Sequence, residues 1–526
     1  MKTMKKLFAL AFLAFGFLVT GFAQCDCPPV EYRDTVLTST LIDGNSNLLS
    51  TATNWTCDKL YIMDSRVYVN GGLTLTIGPG TVIKAKETAA GQAYSIIVTR
   101  GSKIDADGTA ECPIIFTTVY DPLDGTYPMC NTKKWGGIII LGRAYNNVMD
   151  PDQHPSGDPI GIADGVGTIE GLYHPDSRHH YGADLNGTVP PEWGGTGIPE
   201  DFDDDDNSGV IRYVSVRHGG AVIGAANEIN GITLGSVGRG TTFEHVEVIA
   251  NEDDGIEFFG GTVDLKYATL LFNQDDYIDY DQGYKGRIQF VLAVRNPDVT
   301  NPLGDHGIEG DGDDGILAGR PPNSYPLIYN LTALGANKGG DPAFEAKERT
   351  LGEVKNCVFA NYDVGVRMAS AVVDSFLTDK FILQNNTFLN CTPNLYIAAG
   401  DPDSLTAVNE FVAAGNITET GTGIDYAWTS TGNPNCVLSG SFNAVPWSGK
   451  CSSTISAPND GFFSPVSYRG AFEPGKKTWN QWTLPYQAGY DGASVPCPSD
   501  LDGDNDTDVN DFNIFSNRFG QPCGAY

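Results

Sequence analysis

A chain of 526 residues carries 65 Asp and Glu against 33 Lys and Arg, a formal charge of −32. That excess repels phosphate backbones and anionic lipid alike, which excludes nucleic-acid binding and electrostatic membrane adhesion. Its 63 glycines and 30 prolines break the chain into short runs, and long amphipathic helical stretches are hard to find.

Residues 1–23 read as a secretory signal peptide. Lys2, Lys5 and Lys6 precede an apolar run from Leu7 to Phe22, and Gly21 and Ala23 supply small residues for a cut before Gln24. The run is shorter than the ~20 apolar residues of a spanning helix, and no later stretch reaches that length. The expectation is a secreted, extracellular or outer-surface protein with no transmembrane segment. Cys25 opens the alternative of a lipid anchor, but Gln24 is a poor residue before such a cut, and plain secretion is preferred. All 11 cysteines lie in the mature chain, which suits an oxidising compartment. Cys112 with Cys130, Cys436 with Cys451 and Cys497 with Cys523 are candidate pairs, and spacing alone leaves the connectivity open. Residues 24–54 are expected to form an N-terminal cap.

From residue 55 the chain becomes a series of short β-rich runs such as Leu73-Thr-Leu-Thr-Ile77, Ser95-Ile-Ile-Val-Thr99 and Pro113-Ile-Ile-Phe-Thr117. Each is bounded by Gly, Pro, Asp or Asn. Asn251-Glu-Asp-Asp-Gly-Ile-Glu257 returns 22 residues later as Asn273-Gln-Asp-Asp-Tyr-Ile-Asp279, with a looser echo at Asp305-His-Gly-Ile-Glu309. A period of this size suits one turn of a solenoid, whose coils bury an apolar face only by stacking. Asn and Gly at the coil corners would supply left-handed backbone angles. The fold expected over residues 55–487 is therefore all-β, a right-handed parallel β-helix. A polar insert at 145–208 should leave the coil at a corner and lie on the outer surface.

Two stretches carry a family resemblance. "LTLTIGPGTVIKA" (73–85) and "WGGIIILGRA" (135–144) look like the start of exported bacterial β-helix proteins. "DDDDNSGVIRYVSVRHGG" (203–220) and "NEDDGIEFFGGTVDLKYATL" (251–270) resemble a family of secreted and lipoprotein β-helices of the pectin-lyase-like kind. The resemblance implies a fold and an outside location and brings no reaction with it. Past residue 372 it implies less regular coils or a C-terminal cap.

The last segment, 488–526, contains "DLDGDNDTDVNDF" (500–512). Asp500, Asp502, Asp504, Asp508 and Asp511 fall at the oxygen-ligand positions of an EF-hand-type loop, and Asp506 would offer its backbone carbonyl, so Ca2+ is the expected cofactor. Phe512, Phe515 and Phe519 follow at helical spacing. The loop resembles that of dockerin modules, with Asn505 at the usual glycine position and Thr507 at an aliphatic one. A single loop, where dockerins carry two, does not imply a cohesin partner.

Asp254, Asp275 and Asp276 resemble the acid motifs of inverting β-helix polygalacturonases, in which paired carboxylates flank a glycosidic bond. That family also places a His-Gly after the acids and then Arg-Ile-Lys. Here Arg287-Ile-Gln289 lacks the lysine and precedes His306-Gly307, so the order is reversed. Acidic corner residues are the preferred reading, and no catalytic set is assigned. His174, His179 and His180 lack partners at metal-ligand spacing, His218 reads as a corner residue, and Asp203–Asp206 as a solvated turn. The function expected is binding, adhesive or structural, through contact with an extracellular glycan or surface protein. The alternative is a polysaccharide hydrolase or lyase.

Overall fold

In a computed structural model of the protein, the described residues span 25–487 apart from 45, 51–52, 88–92, 129–130, 149–164, 170–171, 173–176, 184–201, 224–226, 297–305, 313–322, 337–339, 399–400, 421–452, 454, 475 and 477. The signal peptide, the loop from Asp500 to Asp511, His174, Asp305 and cysteines 130, 436, 451, 497 and 523 lie outside them.

Short apolar runs separated by turns have become strands that pair almost entirely in parallel with the coil before and the coil after. A ten-stranded wall shows the principle. Ile96, Ile138, Ile232, Ile256, Ile278, Ile308, Phe344, Val366 and Leu395 lie in one register across it. All are buried, each contributing roughly 1.5–3 kcal/mol by leaving water. Because strand side chains alternate, the neighbouring residues form an equally aligned ladder on the outer face. The fold is the expected right-handed parallel β-helix.

The other strands form two walls that meet at a sharp corner. At that corner each coil places one residue in the left-handed region: Tyr213, His245, Tyr267, Phe290, Asn330, Asn356 and Asn385, with φ between 50° and 63°. Register on either side aligns them from coil to coil. Asparagine, and to a lesser degree histidine, reaches this region readily, whereas Tyr and Phe seldom do. Here the rings recover the cost by stacking, at centroid distances of 4.4 Å for Tyr213–His245, 4.5 Å for His245–Tyr267 and 5.2 Å for Tyr267–Phe290. The asparagines continue the ladder with a hydrogen bond from Asn385 Nδ2 to Asn356 Oδ1 at 2.6 Å.

Strands continue to Ile417–Glu419, and short helices Ser370–Leu377 and Ser404–Ala413 are inserted near this end. Among the described residues, the chain from Ser453 onwards adds no coil. It runs across the outside of the ring-and-asparagine corner. Ser453 and Ile455 bond to Asn385 and Asn356, Ser464 to Gln289, and Arg469 returns to Asn385 and Asn386. Trp479 then packs on Tyr267 and Trp482 on Tyr213. Leu484 N–H ends the path on the buried carboxylate of Glu247, at 2.8 Å. Beneath the tail, Ile249, Leu271, Leu292, Leu334 and Leu389 form a second apolar cluster with Phe472 and Leu484. This wall is buried on both faces.

The N-terminal residues join the solenoid directly: Asp34–Leu37 pairs in parallel with the strand Lys59–Met63. Cys112 is bonded to Cys25 and Cys27 to Cys57, with Cα separations of 5.4 and 5.5 Å, typical of disulfides. Cys130 was only a candidate partner of Cys112. The correction arises because residues 25–28 cross the first coils beside Gly80, which itself bonds to the Cys112 carbonyl, a proximity that sequence spacing does not carry. In the insert, Val166–Thr168 and His180–Gly182 form a small antiparallel pair. The Tyr181 ring lies over Gly235, where a Cβ would stand 2.6 Å from it. Tyr181, Ile169 and Leu172 thereby cover the outward Ile97, Ile139 and Leu141 of the ten-stranded wall.

Candidate functional site

The outer ladder of the ten-stranded wall changes character along the axis. In order it reads Tyr68, Ile97, Ile139, Thr233, Glu257, Asp279, Glu309, Glu345, Arg367 and Tyr396. Where the apolar part and its covering insert end, the carboxylates begin. Glu257, Asp279 and Glu309 each occupy the second position of a strand that opens with a buried isoleucine, and Glu345 follows the buried Phe344 within its strand.

The turns before these strands bring in more acid. Asn251-Glu-Asp-Asp254 and Asn273-Gln-Asp-Asp276 stack in register. Asn273 Oδ1 accepts the Asn251 N–H at 3.1 Å, and Asp254 Oδ1 accepts the Asp276 N–H at 2.9 Å. Asp276 Oδ1 repeats the device on the next coil, accepting the His306 N–H at 2.7 Å. One oxygen of each aspartate thus satisfies backbone of the following coil, as corner residues would, and the rest of each carboxylate contributes to a cleft.

That cleft has a volume of about 280 Å³ and is lined by Asn227, Asn230 and eight carboxylates: Glu228, Asp253, Asp254, Glu257, Asp275, Asp276, Asp279 and Glu309. Among the described residues, neither an aromatic nor a basic side chain lines it. Asp254, Asp275 and Asp276, singled out from the sequence, all meet here. Oxygens of Asp253, Asp254 and Asp275 lie within 4.8 Å of one another, as do those of Asp254, Glu257 and Asp279. Asp254 belongs to both groups. A third group joins Asp276, Glu309 and His306. Asn230, only 5 % exposed, donates Nδ2 to Glu257, and its Oδ1 finds no hydrogen-bond partner. Leaving a buried carbonyl oxygen unpaired costs about 1–3 kcal/mol.

Burial, followed by the neighbouring Asp253, Asp279 and Asp276 carboxylates, raises the Asp254 carboxyl well above its ordinary range. Burial also lifts Asp276 to about 7, against the opposing pull of His306, and lifts Asp279 to about 7, against Lys347. Burial alone would lower His306, but Asp276 and Glu345 outweigh it and raise the imidazole to about 10. His306 is thus a fixed imidazolium, with Nδ1 2.8 Å from Asp276 and Nε2 3.0 Å from Glu345. Arg367 reaches the same Glu345 oxygen, Oε2, at 2.7 Å. These cations neutralise the C-terminal end of the ladder, while the two groups sharing Asp254 hold carboxylates without a basic member.

Glu257, Asp279 and Glu309 were not singled out from the sequence. Their signal was present as the residue after Ile in Gly-Ile-Glu257, Tyr-Ile-Asp279 and Gly-Ile-Glu309. Reading it required knowing that the three isoleucines share a register. His179 and His218 sit elsewhere. His179 Nε2 meets the Tyr68 hydroxyl at 2.8 Å. His218 is a left-handed corner residue with φ 62°, its Nδ1 2.9 Å from the Asn131 carbonyl oxygen. Asp204 and Asp205 pair with Arg239 in a turn.

No curated protein and no solved structure matches the chain. The family described as "Pectate-lyase like beta helix domain" matches residues 47–159 and 192–432. That span covers more than half of the sequence, including every strand of the acidic ladder and the turns before them. With parallel coils among the described residues of that span, the chain belongs to the pectate-lyase-like β-helix family.

Proposed function

We propose that the protein is a secreted or outer-surface binding protein whose acidic cleft holds Ca2+ and uses the bound cation to grip anionic extracellular glycan or matrix. The observation carrying this reading is the Asp254 carboxylate, shared between two groups of acids beside the unpaired Asn230 Oδ1. Hard cations of this class take six to eight oxygens at 2.3–2.6 Å. Asp253, Asp254, Glu257, Asp275 and Asp279 supply carboxylates, and Asn230 supplies a neutral carbonyl. Such a cation would offset the burial and the neighbouring charge that push the Asp254 and Asp279 carboxyls upward, and its remaining coordination positions would face the cleft mouth. The C-terminal loop of Asp500, Asp502, Asp504, Asp506, Asp508 and Asp511 would hold a separate Ca2+.

The hydrolase alternative draws on Asp276 and Asp279, since carboxyls raised to about 7 suit a general acid at neutral pH. Against it, inverting hydrolysis needs carboxyls roughly 6.5–9.5 Å apart to admit water, whereas oxygens of Asp254 and Asp275 lie within 4.8 Å of each other, and no aromatic side chain is among the described residues that line the groove.

Calorimetric titration of Ca2+ into chelator-treated full chain tests the proposal. The expected outcome is binding that weakens at least tenfold in Asp254→Asn and survives Asp500→Asn. Binding unchanged in Asp254→Asn would sink it, and release of reducing ends from polyuronate by the wild type but not Asp276→Asn would favour the hydrolase.

A further inference from the structure

The ring stack at the left-handed corner ends at Tyr213. One coil earlier the register pairs Arg212 with Asp107 and Val214 with Ile114. Opposite Tyr213 there is no corner residue but the loop 108–113. Its first residue is Gly108, where a Cβ would stand 2.7 Å from the Tyr213 carbonyl oxygen. Every later ring of the ladder has another residue stacked before it, whereas Tyr213 faces a position with no side chain. The tail meets this ring through Trp482, at 5.5 Å and an interplanar angle of 82°, and Trp482 is not among the residues that line the space beside it.

The space left is a pocket of about 450 Å³ lined by Pro79, Asp107, Gly108, Thr109, Arg212, Tyr213, Glu244 and His245, within the ~300–1,000 Å³ of small-ligand sites. Around the ring lie polar groups fixed in place. Arg212 is held by Asp107 at 2.7 and 2.8 Å and by Glu244 at 3.3 Å. His245 stacks beneath Tyr213 and is neutral, because burial lowers it to about 4. Asp107 and Glu244 against Arg212 leave one net negative charge at the pocket, which repels anions.

We infer that this pocket is a second binding site, for a neutral pyranose ring of an oligosaccharide. The apolar C–H face of such a ring would lie on Tyr213, and its equatorial hydroxyls would reach Asp107, Glu244 and Arg212. An aromatic face ringed by carboxylate and guanidinium suits that chemistry, since each hydroxyl both donates and accepts. The site is independent of the acidic cleft: it needs no cation and takes uncharged sugar.

The ladder supplies its own control. Asn330, Asn356 and Asn385 occupy the same corner position three coils running, so Tyr213→Asn keeps the left-handed backbone and removes only the ring. Cellohexaose, mannohexaose and xylohexaose are titrated separately into the full chain with EDTA present, which silences any cation-dependent site. At least one is expected to bind, to weaken about tenfold in Tyr213→Asn, and to stay within about twofold in Tyr213→Phe. Should Tyr213→Asn fail to fold, Tyr213→Leu keeps apolar volume without a ring and is expected to show the same loss. If none of the three sugars binds, or if binding is unchanged without the ring, the inference is overturned.

Discussion

The acidic face and the tail-covered corner are products of the same repeat, and they treat repetition in opposite ways. At the corner, like stacks on like: rings lie on rings, and the Asn385 amide bonds to the Asn356 carbonyl one coil before. Such residues tolerate copies of themselves, and the chain's own tail meets what they leave over, as Ile455 and Tyr468 do for the Asn356 and Asn330 amides. On the ten-stranded wall the repeated group is a carboxylate, which repels its own copy about one strand spacing, ~4.8 Å, away. A solenoid multiplies whatever one coil puts at a given position. A self-complementary residue becomes a seam, and a self-repelling one becomes a site that calls for a counter-ion.

Four measurements would break or sharpen this contrast. On the seam, Trp482 is buried against Tyr213 at the tail's far end, and Trp482→Ala should cost about 3–5 kcal/mol, read from the denaturant midpoint. A loss below about 1 kcal/mol would mean that the tail lies on the corner without stabilising it.

On the acidic wall, Ca2+ at 100 times its Kd should stabilise the protein by about 2.7 kcal/mol. The gain should vanish with chelator and be largely absent in Asp254→Asn, with thermal unfolding as the readout. A full calcium gain in that variant would place the cation elsewhere.

The third effect is a pH dependence. Asp276 and Asp279 titrate at about 7 in the folded chain and near 3.9 when unfolded. The folded state therefore binds more protons between those values, and the metal-free protein loses stability as pH rises from about 4 to about 7. Replacing one carboxyl, as in Asp279→Asn, should flatten that slope. Saturating Ca2+ should reverse it, since the cation competes with protons for the same oxygens. Equal slopes for wild type and variant in EDTA would remove Asp279 from the account.

The smallest effect belongs to the seam's polar half. Asn330, at φ 54°, donates Nδ2 to the Tyr468 carbonyl at 2.8 Å. Asn330→Ala should cost about 1–2 kcal/mol, mostly for placing an alanine in the left-handed region. An unchanged stability would show that the corner is set by its neighbouring coils and not by its own residue.

The parts of the molecule visible in the sequence were those that repeat. The 22-residue offset between Asn251 and Asn273 is the actual register of two coils, and asparagine as corner residue holds at Asn330, Asn356 and Asn385. Tyr213, Tyr267 and Phe290 were not legible as corners, because bulky rings are rarely left-handed and their compensation comes from stacking across coils. The tail was illegible for a related reason. Its contacts join Arg469 to Asn385 and Leu484 to Glu247, pairs separated by 84 and 237 positions with no periodicity. In the cleft, Asp254, Asp275 and Asp276 were seen as members of a repeated turn. Glu257 and Asp279 read as ordinary outward strand residues until the register aligned them.

The tail has a consequence for how such a rod comes apart. A bare solenoid is coupled only between nearest neighbours, so its end coils can open singly while the rest persists. Ser453 and Arg469 hold the coil of Asn385, whereas Trp482 reaches that of Tyr213. The intervening rungs share one strip of chain that must lift off before any of them is released. Opening then becomes a joint event over the whole stretch, and amide exchange along the corner should report one common protection free energy in place of a gradient falling towards the C-terminal end.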